Sequence, residues 1–143
     1  MNIKIKRLRE DARLPEYAHD GDAGMDVFSC EDVEIKPGER KLISTGLGFE
    51  LPDGFEIQVR PKSGLSLKHG IMNLNTPGTL DPGYRGELKV ILYNSDNEKY
   101  NIKKGDKIAQ LVLARFETAE IEEVDELNDS ERGEGGFGST GYS

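Results

Sequence analysis

Five short stretches of this chain hold residue types that can do chemistry. The densest is Asn75-Thr76-Pro77-Gly78-Thr79-Leu80-Asp81-Pro82-Gly83-Tyr84-Arg85-Gly86-Glu87. Within it, Asp81-Pro82-Gly83-Tyr84 has Pro second and Gly third, which predicts a type II turn with a carboxylate beside an aromatic ring. Pro77-Gly78 predicts a second bend, so the segment reads as a pocket edge with free backbone groups. Taken alone it is also a decorated hairpin. Val59-Arg60-Pro61-Lys62-Ser63-Gly64 ends a strand at a proline and opens a helical turn. A lysine, a hydroxyl and a glycine that lets a ligand reach the backbone can cradle phosphate, because N–H groups at a helix start attract anions. The spacing is not that of a Walker A loop. Asp26 sits among small residues just before Phe28, where an aspartate can equally serve as a local backbone acceptor. Gln110 lies among apolar residues, either as a half-buried amide or as an amide donor to a ligand. Residues 132–143, RGEGGFGSTGYS, have the composition of a disordered tail, yet they carry Arg132, Phe137, Ser139 and Thr140.

The elements that must position these residues read as β nearly throughout. Asn2–Leu8 alternates Ile3 and Ile5 with lysines. Val33–Ile35 leads into the turn Lys36-Pro37-Gly38-Glu39, and Arg40–Leu51 into Pro52-Asp53-Gly54. Phe55–Val59 alternates again. Leu88–Tyr93 is apolar apart from Lys89, as in a central strand. Lys103-Lys104-Gly105-Asp106 is a turn before a strand over Lys107–Phe116. Short strands with turn signals every 8–12 residues predict a sandwich or closed barrel. The one helical candidate is Ser63–His69. The spacing predicts a single domain, with a β-barrel core over 1–116, an acidic connecting arm over 117–131 and a glycine-rich lid over 132–143.

Composition narrows the partners. The net charge is −8, and residues 117–134 carry all of it, with nine carboxylates and one arginine. The rest of the chain is neutral, which argues against a basic face for a nucleic-acid polymer. A small anion needs only a few converging donors and stays possible. The single cysteine, Cys30, rules out an intramolecular disulfide and reads as a small buried apolar residue. His19 and His69 have no neighbours at zinc-ligand spacing. With no signal-type or membrane-length apolar run, the expectation is a cytoplasmic protein with no membrane partner.

Taken together and in order, from Ala23 to Gly141, the five stretches resemble the five motifs of the trimeric dUTPases. NTPGTLDPGYRGE and RGEGGFGSTG are the most specific of them. The resemblance implies an all-β, jelly-roll-type barrel with a flexible C-terminal arm, assembled as a homotrimer with its active sites between chains. It implies hydrolysis of dUTP to dUMP and pyrophosphate, with Mg²⁺ as cofactor held by the triphosphate and waters and by no protein ligand directly. Each site would take its first, second and fourth motifs from one chain, its third from the next, and the arm from the third chain.

Carried over residue by residue, the resemblance makes Asp81 the carboxylate that deprotonates the water attacking the α-phosphorus. Carboxylates are ionised at neutral pH and can take that proton. Tyr84 would pack on the deoxyribose and leave no room for a 2′-OH. Asn75 and the backbone through Gly78, Thr79 and Leu80 would read uracil, since a cytosine edge would leave buried polar groups unpaired. Lys62, Ser63, Gly64 and Gln110 would bind phosphate, with Asp26 in support. Arg132, Gly138, Ser139 and Thr140 would close on the phosphates, and Phe137 would cover the base. The family's usual residue at 62 is arginine; Lys62 keeps the charge without the planar fork. Two rivals are a dCTP deaminase of the same superfamily and a nucleotide-binding trimer without turnover. The first needs a further acid/base group, for which Glu87 is the one nearby carboxylate. The second should show losses at Asp81, Tyr84 or the tail, and none is present.

Overall fold

A computed structural model describes residues 1–142; Ser143, the end of the expected lid, lies outside the described residues. In chain order the elements are β1 (Lys4–Arg7), β2 (Glu16–Tyr17), β3 (Gly24–Phe28), β4 (Val33–Ile35), β5 (Arg40–Glu50) and β6 (Phe55–Arg60). Then come α1 (Ser63–His69), β7 (Ile71–Asn73), β8 (Gly78–Leu80), β9 (Leu88–Asn94), β10 (Tyr100–Ile102) and β11 (Lys107–Arg115). The strands group as β1-β5-β9-β7, β2-β3-β11-β6-β8 and the pair β10-β4, with antiparallel pairing throughout.

Side-chain alternation stacks the sheets. β9 buries Leu88, Val90 and Leu92 and turns Lys89 outward. β11 buries Ile108, Ala109 and Leu111. With Val27, Ile43, Leu47 and Ile57 these form one cluster fed by both larger sheets. Burying each valine, leucine or isoleucine among them favours the fold by about 1.5–3 kcal/mol. The architecture is all-β and jelly-roll-like, as expected. Among the described residues it is built from sheets with open edges, not from one continuous hydrogen-bonded ring.

The turn residues explain the corners. Gly38, Gly54 and Gly105 all take positive φ, and each following turn is closed by a backbone bond, such as Phe55 N–H to the Pro52 carbonyl at 3.2 Å. α1 spans the residues expected and ends at Gly70, in the left-handed region at φ 63°. One local expectation is corrected and another is narrowed. The Asp81–Tyr84 turn closes, with Tyr84 N–H donating to the Asp81 carbonyl at 3.2 Å, but Gly83 does not take positive φ, so the turn is not type II. Pro at the second position suits type I as well, and the left-handed third residue is what separates the two. The bend expected at Pro77-Gly78 falls at Thr76 and Pro77, across a cis bond, and Gly78 already opens β8. It is buried there because a side chain at 78 would meet Val59 Cβ at 3.2 Å.

Cys30 is buried, and burial together with the neighbouring Asp11 carboxylate pushes its thiol up, as befits an inert packing residue. Among the described residues, the last backbone hydrogen bond to the core is Phe116 N–H to the Gly54 carbonyl, 3.0 Å. Residues 117–142 form neither helix nor strand. No helix among the described residues is long and apolar enough to cross a membrane.

Candidate active site

Strand register gathers the first group of expected residues. Asp26 on β3 is level with Gln110 on β11, and Gln110 is level with Arg60 on β6. The chain leaves β6 two residues before Lys62, so Lys62 reaches the same patch. Asp22, Gly24, Asp26, Lys62, Lys107 and Gln110 line a groove of about 390 Å³. Asp26 is only 6% exposed and is held by two cations. Lys62 donates to its Oδ1, and Lys107 Nζ lies 3.2 Å from its Oδ2. Burial pushes the Asp26 carboxyl up, but Lys62 and Lys107 outweigh burial and hold it below the ordinary aspartate range.

Gln110 is wedged in place. Its Nε2 donates to the Pro61 carbonyl at 2.9 Å, and a Cβ on Gly24 would collide with its Oε1. One amide hydrogen thus fixes the entry to the Lys62 turn, and the second remains as a donor. Lys62 is the N-cap of α1 and supplies no side-chain cap. Ser63 and Gly64 follow on the exposed first turn, and nothing in this chain lies within 4 Å of a side chain built at Gly64.

Lys107 is the residue that motif reading missed. β11 carries a bulge between Lys107 and Ala109, with Lys107 opposite Phe28 and Ala109 opposite Val27. Simple alternation puts positions 107 and 110 on opposite faces. The extra residue shifts the parity and turns Lys107 onto the face of Gln110. The sequence signal is weak: a lone lysine at a strand start reads as a solvated end.

The second group forms around β8 and the Asp81 turn. Thr79, Leu80, Asp81, Tyr84, Glu87 and Lys89 line another groove of about 390 Å³. The Tyr84 hydroxyl donates to the Glu87 carbonyl at 3.1 Å, and its ring lies over Gly86, where a Cβ would overlap it. Glu87 itself braces β5, accepting from Ser44 Oγ and from the Gly46 N–H at 3.2 Å. Its carboxylate is engaged in the fold. Asn75 does not line this groove; its amide lies about 3.4 Å from where a side chain at Gly78 would begin. A third depression, of about 380 Å³ along β1, includes Ile5, Leu8, Phe49 and Arg85 and none of the expected site residues.

The two grooves are far apart within one chain. β8 runs antiparallel to β6 with Leu80 opposite Ile57, so the next step sets Asp81 level with Glu56. Lys62 lies six residues further along, about 20 Å away at roughly 3.3 Å per residue. Among the described residues, the tail reaches neither groove by a hydrogen bond. Arg132 Nε donates to the Gly135 carbonyl at 2.7 Å, and Ser139 N–H to the Gly136 carbonyl at 3.1 Å. Phe137 is fully exposed with φ 51°, and Gly138 follows at φ 85°. Thr140 is likewise exposed.

Comparison with known proteins places this geometry in context. The family model described as dUTPase matches residues 10–141. The deoxyuridine 5'-triphosphate nucleotidohydrolase of Nautilia profundicola is 60% identical over 141 residues, covering 99% of each chain. The solved dUTPase of Staphylococcus bacteriophage 80alpha with dUPNHPP superposes with a TM-score of 0.88 at 34% identity, covering 99% of each chain. A variant dUTPase from phage phi11 of S. aureus, with a coordinated structural Mg(II) ion, superposes at 0.81 with 28% identity, covering 90% of this chain and all of that one.

Proposed function

The chain belongs to the dUTPase family and hydrolyses dUTP to dUMP and pyrophosphate; from that premise we propose which residues carry the reaction and how chains share the site. Asp81 takes the proton of the water that attacks the α-phosphorus. Lys62, Ser63, the Gly64 backbone and Gln110 hold the phosphates, with Asp26 fixing the lysine. Tyr84 lies on the deoxyribose, and Asn75 with the backbone of Gly78, Thr79 and Leu80 reads the uracil edge. Arg132, Gly138, Ser139 and Thr140 arrive from an arm to clamp the phosphates, and Phe137 covers the base. No residue forms a covalent intermediate; rate comes from placement and from cations meeting the charge on the leaving pyrophosphate.

The observation that carries this reading is the separation of about 20 Å between Asp81 and Lys62, set by the β6–β8 register. A base and a phosphate cradle that far apart cannot act on one phosphorus. Each groove is therefore half of a site, completed by a neighbouring copy in a homotrimer, with the third copy lending its arm. Co-expression tests it. Asp81→Asn chains and chains lacking residues 132–143 are each expected to be nearly inactive alone. Mixed trimers regain activity, because a site can then draw Asp81 from one chain and the arm from another. Mixed trimers of the right mass with no regained activity would show that sites are not shared.

We assign Mg²⁺ to the substrate triphosphate and its waters. Among the described residues no three His, Cys, Asp or Glu side chains are grouped to hold an ion. Both Asp26 oxygens are engaged by lysines. Mg²⁺ is suited to phosphate oxygens and water, where it neutralises charge on the triphosphate. The chain's residues meet that complex through Lys62, Gln110 and Arg132. The cytoplasm, where dUTP is met, suits a chain whose only cysteine is a buried thiol.

The sugar contact gives a further expected result. Gly86→Ala puts a methyl into the Tyr84 ring, which must swing away and lose its bond to the Glu87 carbonyl. Exclusion of UTP relative to dUTP falls by about tenfold, the scale of one misplaced methylene-sized contact in a pocket. The ratio of kcat/KM values for dUTP and UTP measures it, and an unchanged ratio would remove Tyr84 from sugar selection.

A further inference from the structure

We infer that Lys107 is a positioning residue: it keeps Asp26 paired when Lys62 turns from Asp26 to the triphosphate. The inference rests on the assignment of the Asp26–Lys62–Gln110 groove to phosphate. It starts from a conflict in that groove. Lys62 is the cation that the cradle offers, yet it is bonded to Asp26. To meet a phosphate, it must share or give up that bond. Asp26 is 6% exposed, and a buried carboxylate left without a cation is strongly disfavoured. Unaided, Asp26 would hold Lys62 back from the substrate.

Lys107 resolves the conflict. It sits on the other oxygen of Asp26, at 3.2 Å, and reaches it from β11 and not from the turn that carries Lys62. The two lysines therefore do not compete for one lone pair. The bulge next to Lys107 exists at the point where plain alternation would send it to the other face. Lys107 is the more solvent-accessible of the pair, 53% against 28% for Lys62, so it remains solvated while holding Asp26. With Lys107 in place, release of Lys62 leaves a paired carboxylate behind.

The pH dependence follows from the groups around Asp26. Lys62 and Lys107 face it directly; Asp22 lines the same groove, and Glu16 of β2 is its strand partner. Glu16 is paired with Arg13, and Asp22 with His19. The two lysines hold the Asp26 carboxyl below its ordinary range against the effect of burial. What Asp26 does is thus present at neutral pH and lost as pH falls through that lowered value. Without Lys107, burial acts against one lysine alone, the carboxyl titrates higher, and the loss begins at higher pH.

The test compares Lys107→Met, Lys107→Arg and Lys62→Met in the full-length trimer. Lys107→Met is expected to raise KM for dUTP by about tenfold with kcat much less affected, the scale of one charge-assisted contact. Its acid limb of kcat/KM moves to higher pH, and Lys107→Arg restores both KM and the limb. If Lys62→Met raises KM while Lys107→Met changes neither KM nor the acid limb, the counter-cation role is overturned. If Lys62→Met also leaves KM unchanged, the phosphate assignment of the groove fails first. A Lys107→Met protein that loses kcat and KM performance equally at every pH, together with a lowered Tm, would reduce Lys107 to a structural ion pair and overturn the inference.

Discussion

Asp81→Asn is expected to bind dUTP and fail to turn it over. The amide keeps the shape of the carboxylate and loses the ability to accept a proton. Removing a positioned general base lowers kcat by about 10²–10⁴-fold. The fold should not register the change. Asp81 is exposed, and the turn it opens is closed by its backbone carbonyl to Tyr84 N–H. KM or direct binding of dUTP then stays within a few fold of wild type, and Tm is unchanged. Pyrophosphate release under single-turnover conditions separates this from slow product release. Wild-type-like turnover would falsify the assignment of Asp81 as the base.

Deleting residues 132–143 is expected to leave a folded trimer with crippled hydrolysis. Every hydrogen bond that the described part of this segment makes stays within residues 130–141. The core therefore loses no tie, and stability should be unaffected. The reaction loses Arg132, the hydroxyls of Ser139 and Thr140, and the cover of Phe137. Loss of a clamp that sets the in-line pose and excludes water costs about 10²-fold or more in kcat/KM. Thermal melts and oligomer mass control for folding. Normal dUTP hydrolysis by the truncated protein would remove the segment from catalysis.

Much of the fold was legible because its longer strands are apolar runs or alternations bounded by turn signals. β9 is a run of apolar residues broken only by Lys89 before Asn94, and β11 is mostly apolar between Lys107 and Arg115. α1 stands out by the proline before it and the glycine after it. β2, β7, β8 and β10 were not legible: two or three residues cannot display a period. The bend beside Gly78 was legible at Pro77, but Gly78 itself belongs to the strand, where it is small to fit against Val59. Gly83 misled because proline at the second position suits two turn types.

The proposed site reads in the sequence as residue types and not as geometry. Asp26, Lys62 and Gln110 are scattered over 85 residues and meet only through the pairing of β3, β11 and β6. Lys107 stayed hidden because a bulge reverses the face that counting assigns. Asp81 and Lys62 are close in sequence and far in space, since β8 runs back along β6. No pattern in one chain reports that distance, and it is the distance that calls for a second chain.

That separation also changes what counts as a defective protein. Under the three-chain arrangement, no chain owns a working site, so harm and benefit are communal. If chains lacking every motif assembled freely with intact ones, working sites would require three good neighbours at once. Activity would then fall as the cube of the intact fraction and not in proportion to it. A single-motif defect would behave more gently, because each faulty chain would silence one site and leave its other two contributions sound. The dominance of a variant would thus be set by how many of its three contributions it breaks, a property of the β6–β8 register as much as of the residues themselves.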